Sequence, residues 1–230
     1  MNYPRHIGII PDGNRTRAKE KYLPSVLGHK AGFEQAKKLV KYTLDTPIEV
    51  ITLRGASTEN IKERSPEELS YLYEIYQTIT EDMQQFYDDN GIGFKWIGSS
   101  DGLPSSLVDF FHMQEQRYQS KNGKYSILAV NYGRDEIIRG IEQFQKNYPN
   151  TKMTEENLSQ SMDLGQFPSI DLVIRTKAKV AQRLSGFMTR WIGYAELYFS
   201  EKYFPDFDVA ELQKSLERFD SVAQQRNFGK

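Results

Sequence analysis

The chain contains no cysteine, which excludes disulfides and thiolate metal centres and fits a reducing, cytoplasmic setting. It has almost no charge imbalance: 30 Lys and Arg stand against 31 Asp and Glu. No global charge therefore points to nucleic acid or to an acidic partner, and any anion binding must come from local clusters. No apolar run reaches the length of a membrane span. The opening MNYPRHIGII is too short and too weakly apolar for a secretory signal. No internal repeat, low-complexity tract or linker breaks the 230 residues, so a single domain over 1–230 is expected, long enough for a sizeable core. Of the three histidines, His6 and His112 are given no chemical role.

What is present is an alternation of two patterns. Strand-like runs occur at Ile7–Ile10, Ile48–Leu53, Phe94–Ile97, Ser126–Val130 and Leu172–Ile174, with a short one near Glu196–Phe199. Between them lie helix-like segments at about 33–44, 66–87, 104–120, 134–148, 154–161 and 209–224. This predicts an α/β fold, a central, mostly parallel sheet flanked by helices. The 66–87 segment carries Leu69, Leu72, Tyr73, Tyr76, Ile79, Met83 and Phe86 as a helical stripe, read as a core face or as the wall of a lipid-sized cavity.

The most informative stretch is His6 to Gly32. A buried strand stops at Pro11, Asp12-Gly13-Asn14 follows, and charged helix-compatible residues run from Arg15 to Lys21. Strand, tight turn and helix start make an anion site, because first-turn N–H groups are free to meet a ligand. A carboxylate there repels phosphate unless a cation lies between them, so Asp12 points to Mg²⁺ bridging the acid and a phosphorylated ligand.

Four segments in order resemble the cis-prenyltransferases, the undecaprenyl diphosphate synthase family. They are HIGIIPDGN with GHKAG; ITLRGASTEN with Arg64 and Glu68; LAVNYGRDEI; and DLVIRT, RLSGF, YAELYF and FPDF. The resemblance runs from about Pro4 to Gly229. It implies a parallel sheet with helices and an apolar substrate tunnel, a homodimer or sometimes a heterodimer, and a Mg²⁺-dependent condensation of isopentenyl diphosphate with an allylic prenyl diphosphate that forms a cis double bond. A long product would bring peripheral membrane contact.

The resemblance also assigns roles. Asp12 is the essential, metal-binding aspartate, and Glu196 a second carboxylate near the metal. Gly13 and Asn14 offer N–H groups to the allylic diphosphate, with His29 beside it. Ser57, Glu59 and Asn60 lie in a loop near the reacting carbons, where Asn60 helps the proton leave; the same STEN suits a helix N-cap. Arg64 and Glu68 complete that segment. Arg175, Arg183 and Ser185 match the isopentenyl diphosphate site, and a guanidinium fork suits phosphate.

The departures from the family cluster at phosphate contacts. Where the family reads Asp-Gly-Asn-Gly-Arg, this chain has Arg15 and Thr16 after Asn14, and a second family arginine is Ser25. Arg15, Arg17 or Arg54 are candidates to compensate. The segment RTKAKVAQR is two residues longer than its counterpart and brings Lys177 and Lys179 where the family has an acid. Near the end, Arg226 and Asn227-Phe228-Gly229 replace Arg-x-Gly, and Ala56 and Ile61 replace aromatics. Three readings stay open: the standard condensation, an irregular condensation, cyclisation or other acceptor on the same fold, and a non-catalytic prenyl-diphosphate-binding subunit. The retained Asp12, Asn60, Arg175, Arg183, Ser185 and Glu196 favour an enzyme.

Overall fold

Strand β1 (His6–Ile10) is buried along its whole length, and its side chains divide by the two-residue period of a strand. Ile7 and Ile9 enter one core. Gly8 faces the other, where a Cβ would stand 2.8 Å from Phe187 Cε1. Such a strand needs cover on both faces, the signature of a parallel sheet. The computed structural model describes residues 1–179 and 182–223. Among them β1 is joined by β2 (Val50–Ser57), β3 (Gly93–Ile97), β4 (Tyr125–Tyr132), β5 (Leu172–Arg175) and β6 (Glu196–Phe199). All pairings are parallel, in the order β3-β4-β2-β1-β5-β6.

The helices are α1 (Asn14–Glu20), α2 (Ser25–Leu44), α3 (Thr58–Glu63), α4 (Pro66–Asp82), α5 (Gln84–Asn90), α6 (Ser105–Arg117), α7 (Glu136–Asn147), α8 (Glu155–Gln160) and α9 (Val209–Ala223). Residues of α2, α4, α6 and α9 fill one core. The other is closed largely by Met162, Leu164, Phe187, Met188 and Trp191. The α4 stripe faces the first core, with Leu72, Tyr76 and the following Met83 buried. Edge strand β3 is closed by the end of α6. Its outward N–H groups are taken by the Tyr118 carbonyl, 2.8 Å from Phe94 N, and by the Glu115 carboxylate, 2.9 Å from Trp96 N.

Three elements differ from the sequence pattern. Helix α2 begins at Ser25, eight residues before the expected start, because Gly28 and Gly32 sit inside it as a contact face and not as breakers. The long 66–87 segment divides at Met83 into α4 and α5. Helix α3 occupies what the resemblance implied was a loop, and it bears out the N-cap that STEN suited: Ser57 and Asn60 form a reciprocal capping box that starts it directly from β2. Helix α9 ends the described chain at Ala223; the last predicted residue of that helix, Gln224, and the tail with Arg226 and Asn227-Phe228-Gly229 lie outside the described residues.

The strand order sets the site. Leaving β1 the chain turns toward β2, and leaving β5 it turns toward β6 on the other side. The loops after β1 and β5 therefore diverge and leave a crevice at the carboxyl ends of the strands, the place where open α/β sheets bind ligands.

His6 is fully buried between these strands. The Pro168 carbonyl, 2.8 Å from Nδ1, only accepts, so Nδ1 carries the proton and Nε2 accepts from Thr52 Oγ1 at 2.7 Å. Burial pushes this imidazole down to about 4. The unfolded chain, titrating near 6.5, takes up the proton first. Stability is complete above about pH 6.5 and falls as the pH drops toward 4. Urea unfolding across that window should show this decline, and His6→Gln, which keeps a donor and an acceptor but cannot be protonated, should flatten part of the slope.

Candidate active site

A cleft of about 760 Å³ opens at the β1/β5 crevice. Asp12 leaves the end of β1 and Arg175 ends β5, and the register sets Ile10 beside Arg175. Arg175 Nη2 donates to Asp12 Oδ2 at 2.8 Å, with the guanidinium buried and the carboxylate about one-third exposed. Thr176 locks the backbone of the same turn. Its Oγ1 accepts from Asp12 N–H at 2.8 Å and donates to the Asp12 carbonyl at 2.7 Å.

Around this pair stand Arg15, Arg54, Arg64, Arg134, Lys177 and Arg183, so that seven cations, Arg175 included, line the cleft against the carboxylates of Asp12 and Glu59. Low-dielectric walls focus such a charge excess onto an anion. Beside polar residues, the lining has an apolar part: Phe33, Ala36, Leu53, Leu72, Leu128 and Phe204. Tyr76 backs this wall, meeting Phe33 edge-on with ring centroids 5.8 Å apart.

The cations are held by neighbours that leave donors unused. Glu68 stands 3.4 Å from Arg64 Nε and 3.6 Å from Arg15 Nη1. Among the described residues, buried Arg64 Nε and Nη1, Arg175 Nε, His29 Nε2 and Asn14 Oδ1 have no hydrogen-bond partner. Buried polar atoms are seldom left unpaired, and five of them gathered on one cleft mark a place prepared for a polar ligand. His29 is pushed down to about 4, first by burial and then by the Arg64 charge. It is therefore neutral at pH 7, and its 3.5 Å approach to Glu68 is not an ion pair.

On the β5 side, Arg175 Nη1 donates to Ser185 Oγ at 3.0 Å and to the Arg183 carbonyl. Arg54 Nη2 donates to the Ser185 carbonyl at 3.0 Å. Burial pushes the Arg54 guanidinium below its usual value. Buried Glu136 ties this segment to the end of β4. It accepts from Trp191 Nε1 at 2.9 Å and from the Tyr132 hydroxyl, and burial pushes its carboxyl up.

One further fit can be tested. Among the described residues no group of three acidic or histidine side chains gathers to hold a metal. A single partly exposed carboxylate beside a phosphate-sized cluster of cations suits Mg²⁺, which takes one or two carboxylates and completes its shell with phosphate oxygens and water. Asp12 fits that role.

The sequence profile of the undecaprenyl diphosphate synthase family matches residues 10–229. The chain belongs to this family. An isoprenyl transferase of Treponema denticola is 35% identical over 98% of this chain and 97% of its own. The isoprenyl transferase of Aquifex aeolicus is likewise 35% identical, over 100% of this chain and 97% of its own. Among solved structures, lavandulyl diphosphate synthase from Lavandula x intermedia, in complex with dimethylallyl diphosphate, superposes with a TM-score of 0.86 at 30% identity, covering 99% of this chain and 98% of that one.

Within this family member, most expected site residues meet in the cleft: Asp12, Gly13, Asn14, Arg15, His29, Ser57, Asn60, Arg64, Arg175, Arg183 and Ser185 all line it. Glu68 stands behind the cations as their counter-charge. Two do not join. Arg17 points off the far face of α1, where Nε meets Asp206 Oδ1 at 2.7 Å. Glu196 begins β6 opposite Leu172, three residues below the Arg175–Phe199 level. It therefore lies toward the opposite edge of the sheet, and within one copy it does not meet Asp12. Ser25 is exposed at the start of α2, and Lys179 pairs with Glu201 at 3.2 Å in solvent, so neither lines the cleft.

Arg134 was not assigned to the site by the motifs, while Arg54 was a candidate compensating cation and Lys177 an added charge in the altered loop. Two of them carry a topological signal: Arg134 lies just past the carboxyl end of β4 and Lys177 just past that of β5. GHKAG also gains a mechanical meaning. A Cβ on Gly28 would stand 2.2 Å from the Asn14 carbonyl, and one on Gly32 2.4 Å from Asn14 Oδ1. Gly32→Ala should destabilise the fold by roughly 1–3 kcal/mol through overpacking and weaken diphosphate binding by displacing Asn14. Urea unfolding and calorimetric titration with inorganic diphosphate measure the two effects separately.

Proposed function

We propose that this chain, acting as one domain, condenses isopentenyl diphosphate with an allylic prenyl diphosphate to give a cis-isoprenoid diphosphate, with Mg²⁺ as cofactor. The observation that carries the reading is the pairing, in one cleft, of seven cations with a wall of Phe33, Ala36, Leu53, Leu72 and Leu128. A prenyl diphosphate has the matching halves. The solved relative with dimethylallyl diphosphate bound supports the same ligand class.

In the reaction the allylic C–O bond breaks and diphosphate leaves. The isopentenyl double bond supplies the electrons for the new C–C bond, and loss of a proton closes the cis double bond. Arg15, Arg64 and the N–H groups of Gly13 and Asn14 face the leaving diphosphate, and fixed donors aimed at developing charge stabilise a transition state without reorganisation. Arg175, Arg183 and Ser185 hold isopentenyl diphosphate, with Arg54 bracing their loop. Asp12 would hold the metal. Mg²⁺ supplies neutralising charge on the departing diphosphate. The side-chain oxygen of Asn60 accepts from Ser57 N–H in the capping box, which leaves its NH₂ group to orient the diphosphate that takes the proton.

The prenyl chain lies along the apolar wall toward Phe33 and Tyr76, in a tunnel of the family type. The working form is a cytoplasmic homodimer, which allows Glu196 a role beyond the copy that carries it. Among the described residues no helix is long and apolar enough to cross a membrane; a long product would bring peripheral membrane contact.

Purified protein with labelled isopentenyl diphosphate, Mg²⁺ and primers of several lengths should give chain-extended cis products. No condensation with any primer would overturn the reading, and an irregular or cyclic skeleton on mass spectrometry would replace it. Asp12→Ala should lower turnover by at least 100-fold, on the scale of a lost transition-state contact, as steady-state kinetics with isopentenyl diphosphate would measure.

A further inference from the structure

The cations of the cleft differ in what holds them. Arg175 is paired with Asp12, and Arg15 and Arg64 approach Glu68. Lys177 reaches across from the loop after β5 to α1, where its Nζ donates to the neutral hydroxyl of Thr16 at 2.7 Å. It lines the cleft, and among the described residues no acid pairs with it.

The backbone is bent to put it there. Lys177 has φ of +60°, a left-handed conformation that disfavours every residue with a Cβ. Two hydrogen bonds hold the strained turn: Lys177 N–H to the Lys202 carbonyl at 2.7 Å, and Ala178 N–H to the Ser200 carbonyl at 2.8 Å. A glycine would take this conformation freely. Strain held in place at a cleft, with an unneutralised ammonium as its result, is the pattern of a functional position.

We propose that Lys177 is a diphosphate ligand on the α1 side of the cleft, aimed by Thr16, and that this pair sets the affinity for the allylic substrate. The word allylic rests on the proposed function; the anion site itself does not. An ammonium is a point charge with rotatable donors, so it can leave the Thr16 hydroxyl for a phosphate oxygen without breaking an ion pair.

The test uses the full chain and inorganic diphosphate as probe, followed by steady-state kinetics. Lys177→Gly should weaken diphosphate binding by roughly 10- to 100-fold, the range of one charged hydrogen bond. It should melt no lower than the parent, because glycine relieves the left-handed turn, and this separates a binding role from a structural one. Thr16→Val should show a smaller loss, and Thr16→Arg on the Lys177→Gly background should regain binding. KM for the allylic diphosphate should rise while KM for isopentenyl diphosphate stays within about twofold, and Arg183→Ala should reverse that split. Parent-like diphosphate binding by Lys177→Gly would overturn the assignment, as would a rise confined to the isopentenyl KM. If no primer is condensed but Lys177→Gly still loses diphosphate affinity, the proposed function fails and the anion site stands.

Discussion

The Asp12–Arg175 contact is the constraint around which the cleft is arranged. It spans the switch point between β1 and β5, at 2.8 Å and with the guanidinium buried. A buried guanidinium without an acid would carry a heavy desolvation penalty, and the Asp12 carboxylate is the acid that faces it. Each group therefore makes the other tolerable. The same guanidinium anchors Ser185 and the Arg183 carbonyl, so the side chains read as one diphosphate clamp depend for their geometry on the carboxylate read as the metal ligand. The two halves of the site are mechanically one unit.

A second constraint is steric. Helix α1 is short and keeps its place because α2 offers it glycine at two positions one turn apart, Gly28 and Gly32, where Asn14 seats itself. The intrinsic penalty of glycine inside a helix, roughly 1 kcal/mol each, is offset by a close approach that no other residue permits. The same packing carries His29 into the cleft wall and keeps it dry, hence neutral. The glycines, Asn14 and His29 are thus parts of a single contact.

Much of this was legible in the sequence, for identifiable reasons. Runs such as Ile7–Ile10 and Leu172–Ile174 are strands because a fully buried parallel strand can be little else, and the alternation with helices gave the sheet. Asp12, Asn60 and Arg175 could be placed in the cleft because they sit in local motifs at or just past strand ends. Helix α2's true start could not, since Gly28 and Gly32 read as breakers until their contact with Asn14 is seen. Nor could the fates of Arg17 and Glu196. Which face of α1 an arginine leaves, and at which end of β6 a glutamate falls, are set by tertiary register, not by neighbours in the chain. The missing cation at Thr16 belongs to the same class: its replacement, Lys177, lies 161 residues away.

The end of α6 against β3 has its own bearing. Phe94 and Trp96 would otherwise present two bare amide donors along the sheet's margin. With a carbonyl and a carboxylate already seated on them, that margin offers no template for an incoming strand. A neighbouring copy that meets this margin must do so through side chains, because no free backbone row is left there to extend the sheet on the β3 side.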